Sequence, residues 1–419
     1  MKKSNYSVAL LGFGTVGKAV ARILSGETRN HMRVTHVCNR NIEKKRVDWL
    51  SEGVTWTDDF GAVLGSEVDI VVELIGGEEP ATEWIRQSLL AGKSVVTANK
   101  QVIARYGTEL EDIAREQQRS LRYEAAVAGG IPVIQGLRDG LSGDRLFRVL
   151  GILNGTCNYI LTRMESDRVS FETALGEAQE LGYAEADPTA DIDGFDAQAK
   201  LAILTAVGLG ESVLVDSIPL RTISTIEAVD FVYAKRLGST IRQVSRAERE
   251  KDSQIIASVQ PMLVSTASTL AQVGGSRNMV VVEGDAGGET AFAGLGAGGS
   301  PTAVAVVSDL ESIARGKSEP LGNLAKREPR EAVGEFVSPH YVRFVISDRP
   351  GIIAALAGVF SRHNVNVDSV LQEPGWSKEE LPFVVTLESC GAASVKSALK
   401  EAESFDFHQR PPLWMPILT

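Results

Sequence analysis

The sequence predicts an α/β protein with a parallel sheet, a separate α+β region and a small C-terminal α/β unit. Short strands rich in Val, Ile and Leu alternate with helical stretches up to about Glu124, as in a parallel sheet buried on both faces. From about Ile131 the helices and strands come in separate runs, which is typical of an α+β arrangement. A charged stretch with several prolines, at 316–339, then precedes a compact βαββα unit.

The first part contains the elements of a parallel sheet. Its predicted strands are 6–11, 32–37, 69–74, 94–97 and 120–124, and its predicted helices are 15–24, 80–90 and 101–117. The middle part contains predicted strands at 147–153, 258–265, 278–283 and 290–293, and helices at 158–164, 171–181, 196–207 and 302–314. The C-terminal unit contains predicted strands at 341–347, 365–371 and 383–387, and helices at 351–363 and 392–401.

These elements predict a domain organisation. Residues 1–130 form the first domain, 131–318 the second, 319–339 a linker, and 340–419 the third. We expect the helix 302–314 to pack back on the first domain. The tail at 410–416 contains three prolines, which disfavour a central strand, so no final strand is predicted there.

Composition excludes several classes of protein. The 419 residues carry a net charge of −11, which disfavours nucleic acid as a partner because phosphate binding requires a basic surface. No apolar run is long enough to span a bilayer, and the N-terminus lacks a signal-peptide pattern. The three scattered cysteines predict a reducing compartment, the cytoplasm. Neither HExxH nor CxxC spacing occurs, so no zinc site is expected.

A glycine-rich sequence follows the first strand and begins the first helix: Gly12-Phe13-Gly14-Thr15-Val16-Gly17. GxGxxG alone is weak evidence, but between a strand and a helix it is a strong indication of a Rossmann dinucleotide-binding domain. The first glycine permits the tight turn, the second lets a pyrophosphate approach the backbone, and the third lets helix and strand pack closely. The helix N-terminus attracts the anion. A glycine turn without a ligand is the alternative.

The end of the second strand predicts which dinucleotide binds. NAD sites usually have an acidic residue there for the ribose 2′-hydroxyl, but no acidic residue lies between Glu27 and Glu43. Arg40 follows the strand instead, with Lys44 and Lys45 nearby. A guanidinium binds a 2′-phosphate in a forked geometry, so we predict a preference for NADP(H), with NAD(H) also accepted. A solvated basic turn is the alternative interpretation of Arg40.

Three further segments are rich in reactive or polar side chains. Thr97 and Lys100 follow the strand 94–97, at the sheet edge where ligands bind in open parallel sheets. The segment 154–159 joins a strand to a helix and contains Cys157, which we interpret as a packing residue. The segment 182–200 contains a dense group of carboxylates and ends at Lys200, one helical turn after Asp196. An exposed ion pair is the alternative for these last two residues.

In this order and spacing, the motifs resemble those of the homoserine dehydrogenase family. They are GFGTVG, TANK, NGTCNYIL, GYAEADPTADIDGFDAQAK and GAGGSPTA, and they span Gly12 to about Ala303. The resemblance implies an oxidoreductase that reversibly reduces L-aspartate 4-semialdehyde to L-homoserine with NAD(P)H, in threonine, methionine and isoleucine biosynthesis. It also implies a homodimer or homotetramer, with dinucleotide binding assigned to residues 1–130, substrate binding and dimerisation to 131–318, and regulation to 340–419.

The resemblance also implies roles for individual residues. Lys200, Lys100 and Asp196 would be catalytic, with Lys200 as the acid/base. A further set of residues would hold a monovalent cation, mainly through backbone carbonyls. The implied substrate-binding residues are Glu185, Asp196, Tyr183 and Thr156. The implied cofactor-binding residues, besides the glycine loop and Arg40, are Thr97, Lys100 and Gly298. The implied residues of the sodium site are Glu124, Val127, Gly129 and Ile131.

The C-terminal unit has Ser347-Asp348-Arg349-Pro350-Gly351 between a strand and a helix, and it resembles a ferredoxin-like ACT domain. The resemblance implies amino-acid binding and feedback by threonine, although the proline-rich tail departs from the usual final strand. A different class of protein remains as the alternative: a non-catalytic NADP-binding amino-acid sensor with an ACT domain. The set of Lys100, Asp196 and Lys200 favours an enzyme.

Overall fold

The computed structural model describes residues 5–26, 31–250, 254–316, 328–333 and 335–419. Among these residues, no helix is both long and apolar enough to cross a membrane. The chain divides into two compact units, each made from three stretches. The first unit comprises Met1–Val149, Ala199–Ser217 and Asn278–Glu331, and the second comprises Leu150–Gln198, Ile218–Arg277 and Ala332–Thr419.

The first unit begins with a parallel sheet, as the sequence predicts, but the sheet has six strands rather than the predicted five, since the short strand Thr55–Thr57 was not predicted. The elements in chain order are β1 Tyr6–Leu11, α1 Thr15–Leu24, β2 Met32–Cys38, α2 Ile42–Lys45, β3 Thr55–Thr57, α3 Phe60–Leu64, β4 Ile70–Glu73, α4 Ala81–Leu90, β5 Ser94–Thr97, α5 Lys100–Glu116 and β6 Leu121–Arg122. The strand order is β3-β2-β1-β4-β5-β6, which is the order of a doubly wound dinucleotide-binding sheet.

The register of this sheet aligns the ends of its central strands. Leu11, at the end of β1, lies beside Glu73 at the end of β4, and Glu73 lies beside Thr97 at the end of β5. The loops that follow these strands therefore meet at one edge of the sheet. This edge is where open parallel sheets bind ligands.

The middle of the chain alternates between the two units. Its elements are α6 Val133–Gln135, β7 Leu146–Ile152, α7 Gly155–Asp167, α8 Phe171–Glu180, α9 Thr189–Ile192, α10 Phe195–Leu204, α11 Ala228–Arg236, β8 Ser239–Arg249, β9 Ile255–Ser265, β10 Arg277–Gly284, β11 Gly288–Leu295 and α12 Gly299–Ala314. β10 and β11 are neighbouring strands of the first unit, and β8 and β9 pair antiparallel in the second unit.

Helix α12 belongs to the first unit and packs on its sheet. It begins at Gly299, three residues before the predicted start, so Pro301 lies in the first turn, where a missing N–H costs no hydrogen bond. Val306 and Leu310 of α12 are buried in the same core as Val20 of α1. Helix α12 therefore lies against the helix that begins at the glycine loop.

The C-terminal part of the second unit is a four-stranded antiparallel sheet with two helices. Its elements are β12 Val337–Ile346, α13 Ile352–Arg362, β13 Val367–Gln372, β14 Leu381–Gly391, α14 Ala392–Ala402 and β15 His408–Pro416, with the strand order β13-β14-β12-β15. This is the ferredoxin-like arrangement that the sequence predicts. Part of the predicted linker, at 319–327 and 334, lies outside the described residues.

The absence of a final strand was a wrong prediction. β15 forms despite its prolines and pairs antiparallel with β12. It is an edge strand, and the register shifts between Arg343 and Val345 of β12, opposite the segment that contains Pro411 and Pro412. Prolines fit at edges and bulges because no ladder hydrogen bond from their nitrogen is required there.

The two faces of this sheet are both buried. One face packs on α13 and α14, with Phe344 of β12 and Leu356 of α13 in one core. The other face packs on the helical part of the second unit, where Tyr341 of β12 and Leu413 of β15 share a core with Tyr233 of α11. The C-terminal sheet and these helices therefore form one packed body.

Candidate active site

Each glycine of the loop after β1 is required for a different physical reason. Gly12 adopts a φ of +100°, and a Cβ atom there would lie 2.7 Å from the carbonyl oxygen of Leu74. A Cβ on Gly17 would lie 2.3 Å from the carbonyl oxygen of Gly12, so helix and strand pack closely. No atom lies within 4 Å of a Cβ built on Gly14, the residue that caps α1. The loop is thus open where a pyrophosphate would approach.

The remaining loop residues combine packing with exposure. Phe13 is buried, and its ring contacts Trp56 edge-on at a centroid distance of 5.0 Å. Thr15 is exposed and Val16 is half-buried at the start of α1. The phenyl ring of Phe13 therefore anchors the loop, while the backbone beside it faces outward.

Asn39 connects the glycine loop to the end of β2, and sequence reasoning missed it. Its Oδ1 accepts a hydrogen bond from the backbone N–H of Phe13 at 3.1 Å. The carbonyl of Cys38 accepts another from the N–H of Gly12 at 2.8 Å. Arg40 follows directly and is exposed. The predicted phosphate-binding arginine therefore lies next in sequence to a residue bound to the glycine loop.

The second glycine-rich loop, 294–301, approaches the same helix start. Gly298 adopts a φ of +120° and precedes the first residue of α12. A Cβ on Gly299 would lie 2.7 Å from the Cγ2 atom of Thr15. Gly298 is thus next to a residue that contacts the first turn of α1, where the sequence analysis places the cofactor.

The ends of β4 and β5 bring Thr97 and Lys100 to this edge of the sheet. Thr97 is fully buried, and Lys100 is the half-buried first residue of α5. The Thr97 hydroxyl donates a 2.5 Å hydrogen bond to the buried carboxylate of Glu73. Glu73 was not among the predicted site residues, since an acid within an apolar strand sequence gives no sign of this contact.

The predicted cation site is a tight turn after β6. Ala128 and Gly129 both adopt left-handed conformations, with φ of 53° and 39°. The carboxylate of Glu124 accepts hydrogen bonds from the N–H groups of Ile134 and Gln135, each at 2.8 Å. Burial, and next the neighbouring Asp309, raise the pKa of Glu124 to about 7.

The side chains of this turn do not themselves form a metal site. Within the described ranges, no group of three or more His, Cys, Asp or Glu side chains is placed to hold a metal ion. The Val127 N–H lies 3.5 Å from the carbonyl of Glu124, and the carbonyl of Ile131 accepts from Val133 at 2.8 Å. A cation at this turn would therefore depend on backbone carbonyls, which fits a hard monovalent ion.

In the second unit, Asn154 gathers two carboxylates. It caps α7, with its Oδ1 accepting from the N–H of Cys157 at 2.8 Å. Its Nδ2 donates to Asp191 at 2.7 Å and to Asp196 at 2.9 Å. Asp196 is buried. Asp191 and the role of Asn154 were not predicted, although both belong to segments that the sequence analysis singled out.

The other predicted substrate residues lie around the start of α7. The Thr156 hydroxyl donates to the backbone carbonyl of Tyr183 at 2.8 Å. The ring of Tyr183 lies 5.0 Å from that of Tyr159 and is half-exposed. Glu185 is exposed two residues later. Cys157 is buried, and its Sγ donates to the carbonyl of Asp191 at 3.2 Å, which suits a packing residue.

Helix α10 carries both Asp196 and Lys200, one turn apart. Lys200 is half-buried, and the residues that follow it, from Leu201 to Leu204, are buried. The lysine therefore projects from a helix whose next turn is in the core.

A glycine loop in a doubly wound sheet is typical of a dinucleotide-binding protein, and together with the separate carboxylates that Asn154 binds it fits the class of nicotinamide-dependent oxidoreductases. The family models described as "Homoserine dehydrogenase, NAD binding domain", "Homoserine dehydrogenase" and "ACT domain" match residues 12–124, 132–310 and 340–407. A homoserine dehydrogenase of Synechocystis is 37% identical over 98% of this chain and 99% of its own length. The chain belongs to the homoserine dehydrogenase family.

Other relatives and solved structures agree. A homoserine dehydrogenase of Bacillus subtilis is 37% identical over 90% of each chain. The crystal structure of a homoserine dehydrogenase from Thiobacillus denitrificans has a TM-score of 0.91 at 34% identity, covering 100% of this chain and 99% of its own. A hyperthermophilic archaeal homoserine dehydrogenase in complex with NADPH has a TM-score of 0.65 at 28% identity, covering 76% of this chain and 99% of its own.

Proposed function

We propose that this chain catalyses the reversible, NADPH-dependent reduction of L-aspartate 4-semialdehyde to L-homoserine. The observation that carries the proposal is the pair of carboxylates, Asp191 and Asp196, that Asn154 holds at the start of α7. Together with the exposed Glu185, these acids suit the ammonium and hydroxyl groups of an amino acid. Family membership supports the same substrate.

The bound nicotinamide supplies the hydride. Addition of hydride to the aldehyde carbon leaves negative charge on the oxygen, which requires a proton donor or a cation. We assign proton donation to Lys200, with Lys100 as a second cation for the developing charge. Asp196 and Glu185 bind the amino acid, and Thr156 and Tyr183 border its site.

We propose NADP(H) as the preferred cofactor, with NAD(H) accepted less well. The support is the exposed Arg40, adjacent to Asn39, whose side chain is hydrogen-bonded to the glycine loop. The archaeal relative was solved with NADPH. We also propose the turn at Glu124, Val127, Gly129 and Ile131 for a monovalent cation such as sodium.

Regulation and assembly are further parts of the proposal. The ACT domain suggests threonine as an effector, within the biosynthesis of threonine, methionine and isoleucine. We propose a homodimer or homotetramer located in the cytoplasm. The domain boundaries of the sequence analysis, at 1–130, 131–318, 319–339 and 340–419, stay predictions.

The test is homoserine oxidation, followed by the absorbance of the reduced nicotinamide. Wild-type protein should reduce NADP⁺ only when homoserine is present, and Lys200→Ala should lower kcat by about 10²- to 10⁴-fold, since it removes the acid/base. Lys235→Ala, at an exposed lysine of α11, is the matched control and should keep the wild-type rate. Tight NADPH binding without any turnover would instead favour the amino-acid sensor.

A further inference from the structure

Glu73 is a fully buried acid at the end of a central strand. Its side chain is 0% exposed, and it terminates β4. A buried carboxylate is costly unless hydrogen bonds replace its hydration, so a charged residue at such a place requires an explanation. Burial raises the pKa of Glu73, while hydrogen bonds from Thr97 and from the backbone of Ile75 and Gly76 oppose that rise.

The two carboxylate oxygens bind different segments. Oε1 accepts the N–H groups of Ile75 at 2.8 Å and Gly76 at 3.3 Å, in the loop after β4. Oε2 accepts the hydroxyl of Thr97 at 2.5 Å, at the end of β5. All three partners are donors, and an ionised carboxylate, which only accepts, matches them. Glu73 therefore joins the loops after two neighbouring strands.

The network continues from Thr97 to the start of α5. The Thr97 hydroxyl accepts from the N–H of Asn99 at 2.9 Å. The Asn99 amide donates to the carbonyl of Gly77 at 2.7 Å, and its Oδ1 caps α5 through the N–H of Val102 at 3.3 Å. Asn99 is thus fixed from both loops. The next residue is Lys100, so the direction in which Lys100 leaves the backbone depends on this cap.

The same carboxylate also supports the glycine loop. The carbonyl of Leu74, between Glu73 and Ile75, lies where a Cβ on Gly12 would clash at 2.7 Å. The N–H of Leu74 also donates to the carbonyl of Leu11 at 2.8 Å, so the segment after β4 packs closely against the start of the glycine loop. Glu73 thereby holds the segment that packs against the glycine loop as well as the end of β5.

We infer that Glu73 is a positioning residue of the reaction, holding Thr97 and Asn99 so that Lys100 and the cofactor-binding loops keep their productive arrangement. The expected effect on kcat rests on the proposed function. The expected effect on the backbone around Thr97 and Asn99 rests on the hydrogen bonds alone. A displacement of about 1 Å in a catalytic arrangement costs on the order of 10²-fold in rate. Glu73 touches no reacting atom and acts through the residues that do.

The test compares Glu73→Gln with a matched buried acid. Glutamine keeps the size of the side chain but has one acceptor oxygen for three donors. We expect kcat for homoserine oxidation to fall about 10- to 100-fold, with NADPH affinity changed less than about threefold. Glu111→Gln is the control, since Glu111 is also buried and bonded to Tyr123 and Arg138, and it should keep the wild-type kcat.

A double-mutant cycle and amide exchange separate positioning from general destabilisation. Thr97→Val removes the hydroxyl at nearly constant shape, so its effect on kcat should not add to that of Glu73→Gln. Amide hydrogen exchange at Ile75, Asn99 and Val102 should become at least about tenfold faster in Glu73→Gln and stay unchanged in Glu111→Gln. The exchange measurement needs no turnover, so it judges the inference even if homoserine is not the substrate.

Three results would overturn the inference. They are a wild-type kcat in Glu73→Gln, additive effects in the cycle, and unchanged exchange at those three amides. If Glu73→Gln does not fold, Thr97→Val alone decides, because it breaks the same network from the other strand. In that case a wild-type kcat together with wild-type exchange at Asn99 would overturn it.

Discussion

Arg40 is the residue to which we assign the proposed preference for NADP(H). It follows Asn39, whose side chain accepts the N–H of Phe13 in the glycine loop, so it lies next to a segment fixed to the cofactor-binding loop. The guanidinium matches a phosphate with two parallel hydrogen bonds, which an ammonium group does not. A single arginine can therefore supply most of the discrimination between the two dinucleotides.

We predict that Arg40→Ala lowers the ratio of kcat/KM for NADP⁺ to that for NAD⁺ about 10- to 100-fold. A hydrogen bond to a charged group contributes about 1.5–3 kcal/mol, which corresponds to this range. Steady-state assays with both cofactors measure the ratio. Lys44→Ala, at an exposed lysine of α2, is the control and should change the ratio far less. An unchanged ratio in Arg40→Ala would exclude this residue as the clamp.

Asn154 both caps α7 and binds two carboxylates, and substitutions can separate these two roles. Asn154→Ala should lower stability by about 1 kcal/mol, because α7 loses its cap, and should also lower kcat/KM for homoserine, because Asp191 and Asp196 lose their common donor. Asn154→Ser should keep the cap, since serine is a good N-cap residue. The serine side chain is too short to reach both acids. Melting curves and kcat/KM measure the two effects. Equal kcat/KM in wild type and Asn154→Ser would count against the bridging role.

At the level of elements, the sequence predicted the Rossmann part well and the rest unevenly. The helix Thr15–Leu24 and the strand Ser94–Thr97 have the predicted bounds, because glycine turns and apolar runs mark them locally. β8 was missed. Its Arg242 and Arg246 resemble exposed positions, but both are buried, with ion pairs to Glu165 and Glu248. Glu165 is distant from Arg242 in the sequence, and the pairing of Arg246 with Glu248 becomes evident only once the strand has formed.

The site shows the same division. Gly12, Thr97 and Asp196 lie in motifs that are contiguous in the chain, and sequence reasoning predicted them as site residues. Asn39 and Glu73 act through hydrogen bonds to residues 24 or 26 positions away, and nothing in their own segments indicates this. The final strand was mispredicted for a related reason: prolines exclude a central strand but not an edge with a bulge.

The contact between α11 and β12 contains a buried acid with an unusual proton affinity. Asp230 lies in the first turn of α11 and is fully buried, with the Tyr341 hydroxyl donating to it at 2.7 Å and Arg343 paired to it at 3.1 Å. Burial is the main cause that raises its pKa to about 6, and the attraction of Arg343 only partly opposes this. The folded protein therefore holds a proton there that the unfolded chain releases near pH 3.8.

We predict that wild-type protein loses stability relative to Asp230→Asn as the pH rises from about 4 to about 6. Between these values the folded state binds more protons than the unfolded state, so the free energy of unfolding falls with rising pH. The difference between the two proteins should change by on the order of 3 kcal/mol across this window. Urea unfolding at several pH values measures it.

Asp216→Asn is the control for this prediction. The hydrogen bond and charge of Arg105 lower the pKa of the exposed Asp216, so its contribution is present at higher pH and lost as the pH falls. The wild type should then gain stability relative to Asp216→Asn as the pH rises, which is the opposite sign. A pH-independent difference for Asp230→Asn would contradict the role assigned to this acid.

At the level of the whole molecule, the ACT domain raises the question of feedback. We predict that L-threonine at millimolar concentration lowers the rate of homoserine oxidation by the intact chain. The physical reason is linkage: a ligand that binds one state of the C-terminal sheet shifts the state of whatever packs against it. D-threonine, with the same composition and charge, is the control ligand. No change in kcat or KM with L-threonine would count against regulation.

The second face of the C-terminal sheet has a practical consequence for anyone who alters this protein. Because Tyr341 and Leu413 complete the core around Tyr233, removal of the ACT domain would expose a large apolar surface to water. We expect truncated forms to aggregate and to be degraded before their activity can be measured. Variants that test the proposed response to threonine should therefore carry single substitutions at the sheet, with the chain kept at full length.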